Sequence, residues 1–185
     1  MTTPTLIVID IQNDYFPGGN MALSGPEAAA ANAQQALQAF REHHWPVVIV
    51  QHLALSNEAT FFRPGTKGAE LYAGFEPLAG EAHLIKHYPN AFRDTELGSL
   101  LNKAGTEHLV ICGMMTHMCI DTSTRAAADA GFRVTLLGDA TATRSLGFGG
   151  QTAAADQVQI AYLAALNGSF ARVTSTREWL TSLPD

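Results

Sequence analysis

Cysteine is scarce in this chain, and so is positive charge. Two cysteines in 185 residues, Cys112 and Cys119, are too few for a disulfide framework, and their spacing fits no zinc pattern. Eleven Lys and Arg against seventeen Asp and Glu leave a formal charge of -6, the wrong sign for a partner that is nucleic acid or an anionic membrane surface. No apolar run approaches the roughly 20 residues that a membrane-spanning helix needs. The start Met1-Thr2-Thr3-Pro4 has neither the basic region nor the cleavage site of a secretory signal. These absences predict a cytoplasmic protein with reduced thiols. Repeats are also missing, and the length fits one domain over 1–185.

What the chain does have is short apolar runs alternating with helical patterns. Runs at 5–9, 47–50, 83–85, 109–112, 133–137 and 171–174 read as strands, and 109–112 is wholly apolar, as expected for a strand of a parallel sheet covered on both faces. Between them, 26–43, 95–103, 152–166 and 177–183 read as helices. The first carries Ala29, Ala33, Leu37 and Phe40 as an apolar stripe, which turns it toward the sheet. This alternation predicts an α/β fold with a doubly wound sheet. Residues 53–81 have no clean period and carry repeated glycine, proline and aromatic residues. That stretch reads as a long loop, of the kind that serves as a lid or an oligomer contact. Gly65-Thr66-Lys67 lies within it, but the glycine spacing is wrong for a phosphate loop. No cofactor is expected.

The most informative stretch is 109–121. An apolar strand breaks at Gly113, and a helical pattern restarts through Ile120, Thr124 and Ala127 with Cys119 in its first turn. A helix start carries partial positive charge, which favours a thiolate and predicts a thiol pKa below the usual ~8.5. By itself Cys119 also suits a small buried apolar role. Two residues elsewhere change the balance. Asp10 ends the first strand and Lys86 ends the third. In an open parallel sheet ligands bind beyond the carboxyl ends of the strands, so acid, cation and thiol should meet on one edge. The carboxylate can take the thiol proton and the ammonium can hold the thiolate. His52, at the end of the second strand, is pocket lining at most, and Asp139 is expected to cap or turn the chain.

The motifs Ile9-Asp10-Ile11-Gln12-Asn13-Asp14-Tyr15-Phe16, Lys86 with Ala91-Phe92 and Thr95-Glu96-Leu97, Gly113-Met114-Met115-Thr116-His117-Met118-Cys119 and Asp139-Ala140 belong to a resemblance that covers nearly the whole chain. In this order the chain resembles the isochorismatase-like cysteine hydrolases, a family that includes nicotinamidases and N-carbamoylsarcosine amidohydrolase. The resemblance implies a three-layer sandwich, a six-stranded, mostly parallel sheet with helices on both faces. It implies Asp10 as general base, Lys86 as its charged partner and Cys119 as nucleophile. It further implies a cis peptide between Met114 and Met115, with the N–H groups of Met115 and Cys119 as the oxyanion hole. Phe16, Tyr88, Phe92 and His117 are the pocket candidates.

Two departures narrow the expectation. Nicotinamidases carry an Asp-x-His metal pair just past the second strand, where this chain has Gln51-His52-Leu53; no metal is expected. Isochorismatases proper, which cleave a vinyl ether, lack a cysteine at the position of Cys119. The expected activity is hydrolysis of a small-molecule amide or related C–N bond through a thioester. The competing readings are a thiol redox protein in which Cys112 resolves an oxidised Cys119, a vinyl ether hydrolase, and a non-catalytic small-ligand binder. The alanine-rich helices and the aromatic loop offer more flat, low-charge surface than one small domain needs, which predicts a homo-oligomer, a dimer or larger.

Overall fold

The structure, a computed structural model, describes residues 3–56 and 58–183; Met1 and Thr2, part of the start considered above, lie outside the described residues. In chain order the elements are β1 (Thr5–Ile9), α1 (Pro26–Glu42), β2 (Val47–His52), β3 (Ala82–Lys86), α2 (Leu97–Lys103), β4 (His108–Met114), α3 (Asp121–Asp129), β5 (Arg133–Ala142), β6 (Leu146–Phe148), β7 (Gln151–Ala153), α4 (Ala155–Leu166), β8 (Arg172–Thr174) and α5 (Thr176–Thr181). The main sheet has the order β3-β2-β1-β4-β5-β8. Every pairing in it is parallel, so the sheet is wholly rather than mostly parallel. From β1 the chain winds outward one way to β2 and β3, then returns to β4 and winds the other way. The switch point lies between β1 and β4, where an open α/β sheet leaves a crevice.

Strand periodicity explains the two layers of helices. Successive side chains of a strand point to opposite faces. Leu6, Val8, Ile49, Val110 and Cys112 therefore pack under α1 and α5 in one cluster. Ile7, Ile9, Val48, Val50, Ile111 and Cys119 pack with α2 and α3 residues in the other. In the first cluster Phe40 stacks on Trp179 at 5.3 Å and meets Trp45 edge-on at 5.4 Å; truncating such a ring to alanine costs about 3–5 kcal/mol. Asp139 caps α5, its Oδ1 accepting from the Thr176 N–H and hydroxyl at 2.7 Å each.

Several boundaries differ from the sequence expectation. β4 does not stop at Gly113 but runs on to Met114. Gly113 has φ of +125°, and a Cβ there would lie inside the backbone of its pairing partner Ile9. The glycine thus lets β1 and β4 close tightly, one residue before Asp10. β5 continues to Ala142, and its register with β4 jumps from Ile111↔Leu136 to Gly113↔Thr141. The bulge displaced the strand end that apolar content had placed at 137. Residues 146–153 form an unforeseen antiparallel hairpin, with Gly149 and Gly150 both at positive φ. α4 accordingly starts at Ala155 instead of 152.

Candidate active site

β1 is buried along its whole length, and the chain leaves it at Asp10 with φ of +52°. That left-handed conformation costs an ordinary residue about 1–2 kcal/mol and is easiest for Asp, Asn and Gly. It turns the carboxylate into the crevice, where Asp10 is wholly buried. Lys86, the last residue of β3, reaches the same point and is also wholly buried. Its Nζ lies 2.7 Å from Asp10 Oδ2, 2.8 Å from His52 Nδ1, 3.1 Å from the Tyr88 carbonyl and 3.2 Å from Cys119 Sγ. Three N–H bonds thus face four acceptors. Asp10 Oδ1 has no donor among the described residues, and Oδ2 has only the off-axis ammonium.

Cys119 does not sit in the first turn of an α-helix. The Met114–Met115 peptide is cis, and Thr116–Ile120 forms a π-helical turn that leads into α3. The Met115 carbonyl accepts from the N–H groups of Met118 and Ile120 at 3.1 and 3.2 Å. The turn is braced from α4: the Thr116 hydroxyl donates to Gln159 Oε1 at 2.7 Å, while Gln159 Nε2 donates to Thr141 Oγ1 at 2.8 Å.

Burial sets the electrostatics. It pushes the Cys119 thiol well above its ordinary value, Asp10 adds to the effect, and Lys86 opposes it. The lowered pKa expected from a helix start is therefore corrected: desolvation of the 4% exposed side chain outweighs any dipole. Burial also raises the Asp10 carboxyl, with Lys86 pulling the other way. For Lys86 burial acts to lower the pKa, but Asp10 and Cys119 reverse it and hold the ammonium above its usual range. His52 is pushed down to about 3 by burial and by the charges of Lys86 and His87. Although its Nδ1 lies 3.9 Å from Asp10 Oδ2, the ring is neutral and accepts from Lys86, so the contact is no ion pair.

Asp10, His52 and Cys119 bring potential metal-ligand atoms within 4.8 Å of one another. The fit fails on one observation, because the Lys86 ammonium already contacts all three donors. A lysine cation stands where a divalent ion would have to go.

The four pocket candidates each have their own contacts. Phe16 stacks on Tyr72 at 3.6 Å beneath the long loop. Tyr88 meets the site through its carbonyl, while its ring lies under the Arg93 guanidinium. Phe92 packs beside Phe132. His117 is buried, with Nδ1 2.6 Å from the Thr143 hydroxyl. The residues that sequence reasoning undervalued are Gln12, Asp14 and His52. Gln12 Oε1 accepts from the His52 N–H at 2.8 Å, and its Nε2 donates to the carbonyls of His52 and Ala69 at 2.9 and 2.7 Å. Asp14 Oδ2 accepts from the Phe62 N–H at 2.6 Å, and Gly68 lies so close that a Cβ would overlap the carboxylate. These contacts strap residues 58–72 over Tyr15 and His52, whose rings meet Phe62 at 4.7 and 5.6 Å. Their signal was present in the run of polar residues directly after a buried strand.

The Isochorismatase domain model matches residues 4–178. The chain belongs to the isochorismatase family. The isochorismatase family protein YddQ of Bacillus subtilis is 46% identical over 178 residues, covering 96% of this chain and 99% of YddQ. The crystal structure of an isochorismatase-family hydrolase from Oleispira antarctica superimposes with a TM-score of 0.94 at 44% identity, covering 98% of this chain and all of that one. Nicotinamidase 3 of Arabidopsis thaliana is 41% identical over 150 residues, 75% of this chain and 72% of its own. The isochorismatase family consists of hydrolases, and the α/β architecture described above is its fold.

Proposed function

We propose that the protein hydrolyses a small-molecule amide, or a related C–N bond, through a thioester on Cys119. The observation that carries this reading is the buried contact of one ammonium with both the Asp10 carboxylate and the Cys119 sulfur, at 2.7 and 3.2 Å. Relatives named as a nicotinamidase, a ureidoacrylate amidohydrolase and a maleamate amidohydrolase support the amide class. A thiol with a raised pKa rests protonated, so its proton must leave as it attacks. A carboxylate whose own pKa is raised is a better base for that step. Asp10 takes the proton, sulfur bonds to the carbonyl carbon, and the N–H groups of Met115 and Cys119 are the proposed donors to the oxyanion, each worth roughly 3 kcal/mol. Asp10 then protonates the leaving nitrogen as the C–N bond breaks. In the second half Asp10 draws a proton from water, the oxygen attacks the thioester carbon, and the C–S bond breaks with the proton returned to sulfur.

The redox alternative is disfavoured by Cys112, which burial pushes up to about 12 and which packs on the opposite face of the sheet from Cys119. A cysteine at the centre of the site likewise speaks against vinyl ether chemistry. The test is ammonia or amine release across an amide panel, with Cys119→Ala as control and intact mass to detect an acyl adduct. Cys119→Ala should lose at least about 10³-fold in rate while keeping its fold; wild-type turnover in that variant would refute the mechanism. We also propose self-association through the hairpin and α4, because Phe148 and Ile160 are 94% and 69% exposed there and Asp156 is the one charged residue between 145 and 171. Light scattering should give a particle larger than the 19.7 kDa monomer.

A further inference from the structure

The edge of the sheet opposite Cys119 has a cavity of its own, of about 430 Å³, within the range of small-molecule sites. It lies at the amino ends of the strands, where β4, β5 and β8 begin at His108, Arg133 and Arg172. Strand periodicity decides which side chains face it. Leu137 packs under α1 and α5, so Thr135 and Arg133, two and four residues earlier on β5, point to the same face of the sheet. Register carries this sideways, because Arg172 pairs with Thr135 and His108 pairs with Arg133. All four side chains therefore lie on the face that also holds Trp45 and Trp179.

The lining divides into an apolar floor and a cationic rim. Trp179 is buried and Trp45 is half-buried, whereas Arg133 and Arg172 are exposed. Among the described residues that line the cavity, the two guanidiniums are the only charges. His108 is neutral: burial and then the charge of Arg133 push it down to about 4, and its Nε2 lies 2.9 Å from the Thr135 hydroxyl. Among the described residues no carboxylate comes within ion-pair distance of either arginine, whereas Arg41, Arg93 and Arg125 each have one. Glu178 feels Arg172, but its Oε2 already accepts from the Thr174 hydroxyl and the Ser175 N–H at 2.8 and 3.2 Å. At ordinary sheet spacings Arg133 and Arg172 leave the backbone roughly 8 Å apart, near enough for both side chains to reach one anion. On a chain of net charge -6, the sign of the charge is reversed here.

We propose that this cavity binds a small organic anion with an apolar body, the body against Trp45 and Trp179 and a carboxylate or phosphate monoester between Arg133 and Arg172. A planar fork of N–H donors suits either head group. A neutral apolar molecule would leave the rim unanswered, and a bare inorganic anion would leave the floor uncovered. β4 runs from His108 at the cavity to Met114 before the thiol turn, about 20 Å at the rise of a strand. The ligand therefore touches none of the reacting atoms, and the site stands whether or not the hydrolase reading does.

Both tryptophans of the chain line this cavity, so their fluorescence reports on it directly. The full chain is titrated with phenylacetate, phenyl phosphate and 2-phenylethanol, which share a ring and differ in the head group. At least one anion should change the emission saturably, fill one site per chain by calorimetry, and bind roughly 10-fold more tightly than the alcohol. Whichever anion binds more tightly tells carboxylate from phosphate monoester. Acetate and inorganic phosphate, which lack the ring, should bind more weakly than their phenyl counterparts. Arg133→Met/Arg172→Met should erase the preference over the alcohol, and Cys119→Ala should leave it unchanged. No saturable change, equal binding of anion and alcohol, ring-free anions that bind as well, a preference that survives the double variant, or a titration lost in Cys119→Ala would overturn the proposal. Should the double variant fail to fold, salt decides: rising ionic strength should weaken the anion and spare the alcohol, and an anion indifferent to salt counts against the two arginines.

Discussion

Replacing Lys86 by methionine keeps the apolar stem and deletes the ammonium, which leaves a wholly buried Asp10 without a counter-charge. His52 offers no substitute, because burial, the first cause of its low pKa of about 3, persists in the variant. A dry, unpaired carboxylate takes up a proton instead of staying charged. Holding it protonated at pH 7 against an unfolded pKa of ~3.9 spans about 3.1 units at about 1.4 kcal/mol each, an upper limit of about 4 kcal/mol. The sign follows from proton counting: the folded variant binds a proton that the unfolded chain has lost. Its stability therefore falls by about 1.4 kcal/mol per unit as pH rises from about 4 toward the raised folded pKa. Burial already raises Asp10 in the wild type, so the gap between the two proteins opens only above the wild-type titration. The orphaned acceptors of His52 and Tyr88 add roughly 1–3 kcal/mol at every pH. Urea unfolding of both proteins between about pH 5 and pH 8 measures the gap. In Asp10→Asn/Lys86→Met the pH-dependent part should vanish. A gap that stays flat across this range, or that keeps its slope in the double variant, would refute the reasoning. In the wild type the Lys86 contribution is fully present below about 10.5 and is lost as pH rises through the raised folded value.

Cys112→Ala should leave turnover intact and cost about 1 kcal/mol, as for a small truncation in a packed core; a matching loss of activity without unfolding would revive the redox reading. Dialysis against a chelator should not change activity, because the ammonium fills the only cluster of potential ligands found among the described residues; loss that zinc, iron or manganese restores would contradict this. Asp14→Ala strips the acceptor from the N–H groups of Phe62 and Asn20 and should cost roughly 1–3 kcal/mol. Hydrogen exchange should then quicken at residues 58–69 more than in the sheet, and uniform quickening would mean that Asp14 supports the whole fold instead of the strap.

The sheet was legible because its strands are short, largely apolar and bounded by turn residues; Asp10 and Lys86 were legible because each ends such a run, and Cys119 because it follows the break of a strand at Gly113. Three features were not. The β5 extension holds Gly138 and Asp139, residues that read as a turn, and only the bulge against Gly113 accommodates them. The π-helical turn keeps the apolar spacing of an α-helix closely enough that periodicity cannot separate the two. The thiol pKa was misjudged since a local dipole can be read from neighbours in sequence, whereas desolvation depends on what the rest of the chain lays on top. The same blindness hid Gln12 and His52, whose roles exist only after residues 58–72 fold back.

Gln12 has a mechanical consequence. Both ends of its amide grip the two main-chain groups of His52, and the same nitrogen holds Ala69 in the strap. The side chain thus counterfeits a peptide unit, adding one rung where the main-chain ladder has ended. Among the natural side chains only glutamine has donor and acceptor at that reach, since asparagine is a methylene short and glutamate cannot donate. Lifting the strap at Ala69 therefore tugs on His52, and through its ring on the ammonium it orients. Order in the strap and the arrangement of charge around Lys86 are thus coupled mechanically through one side chain.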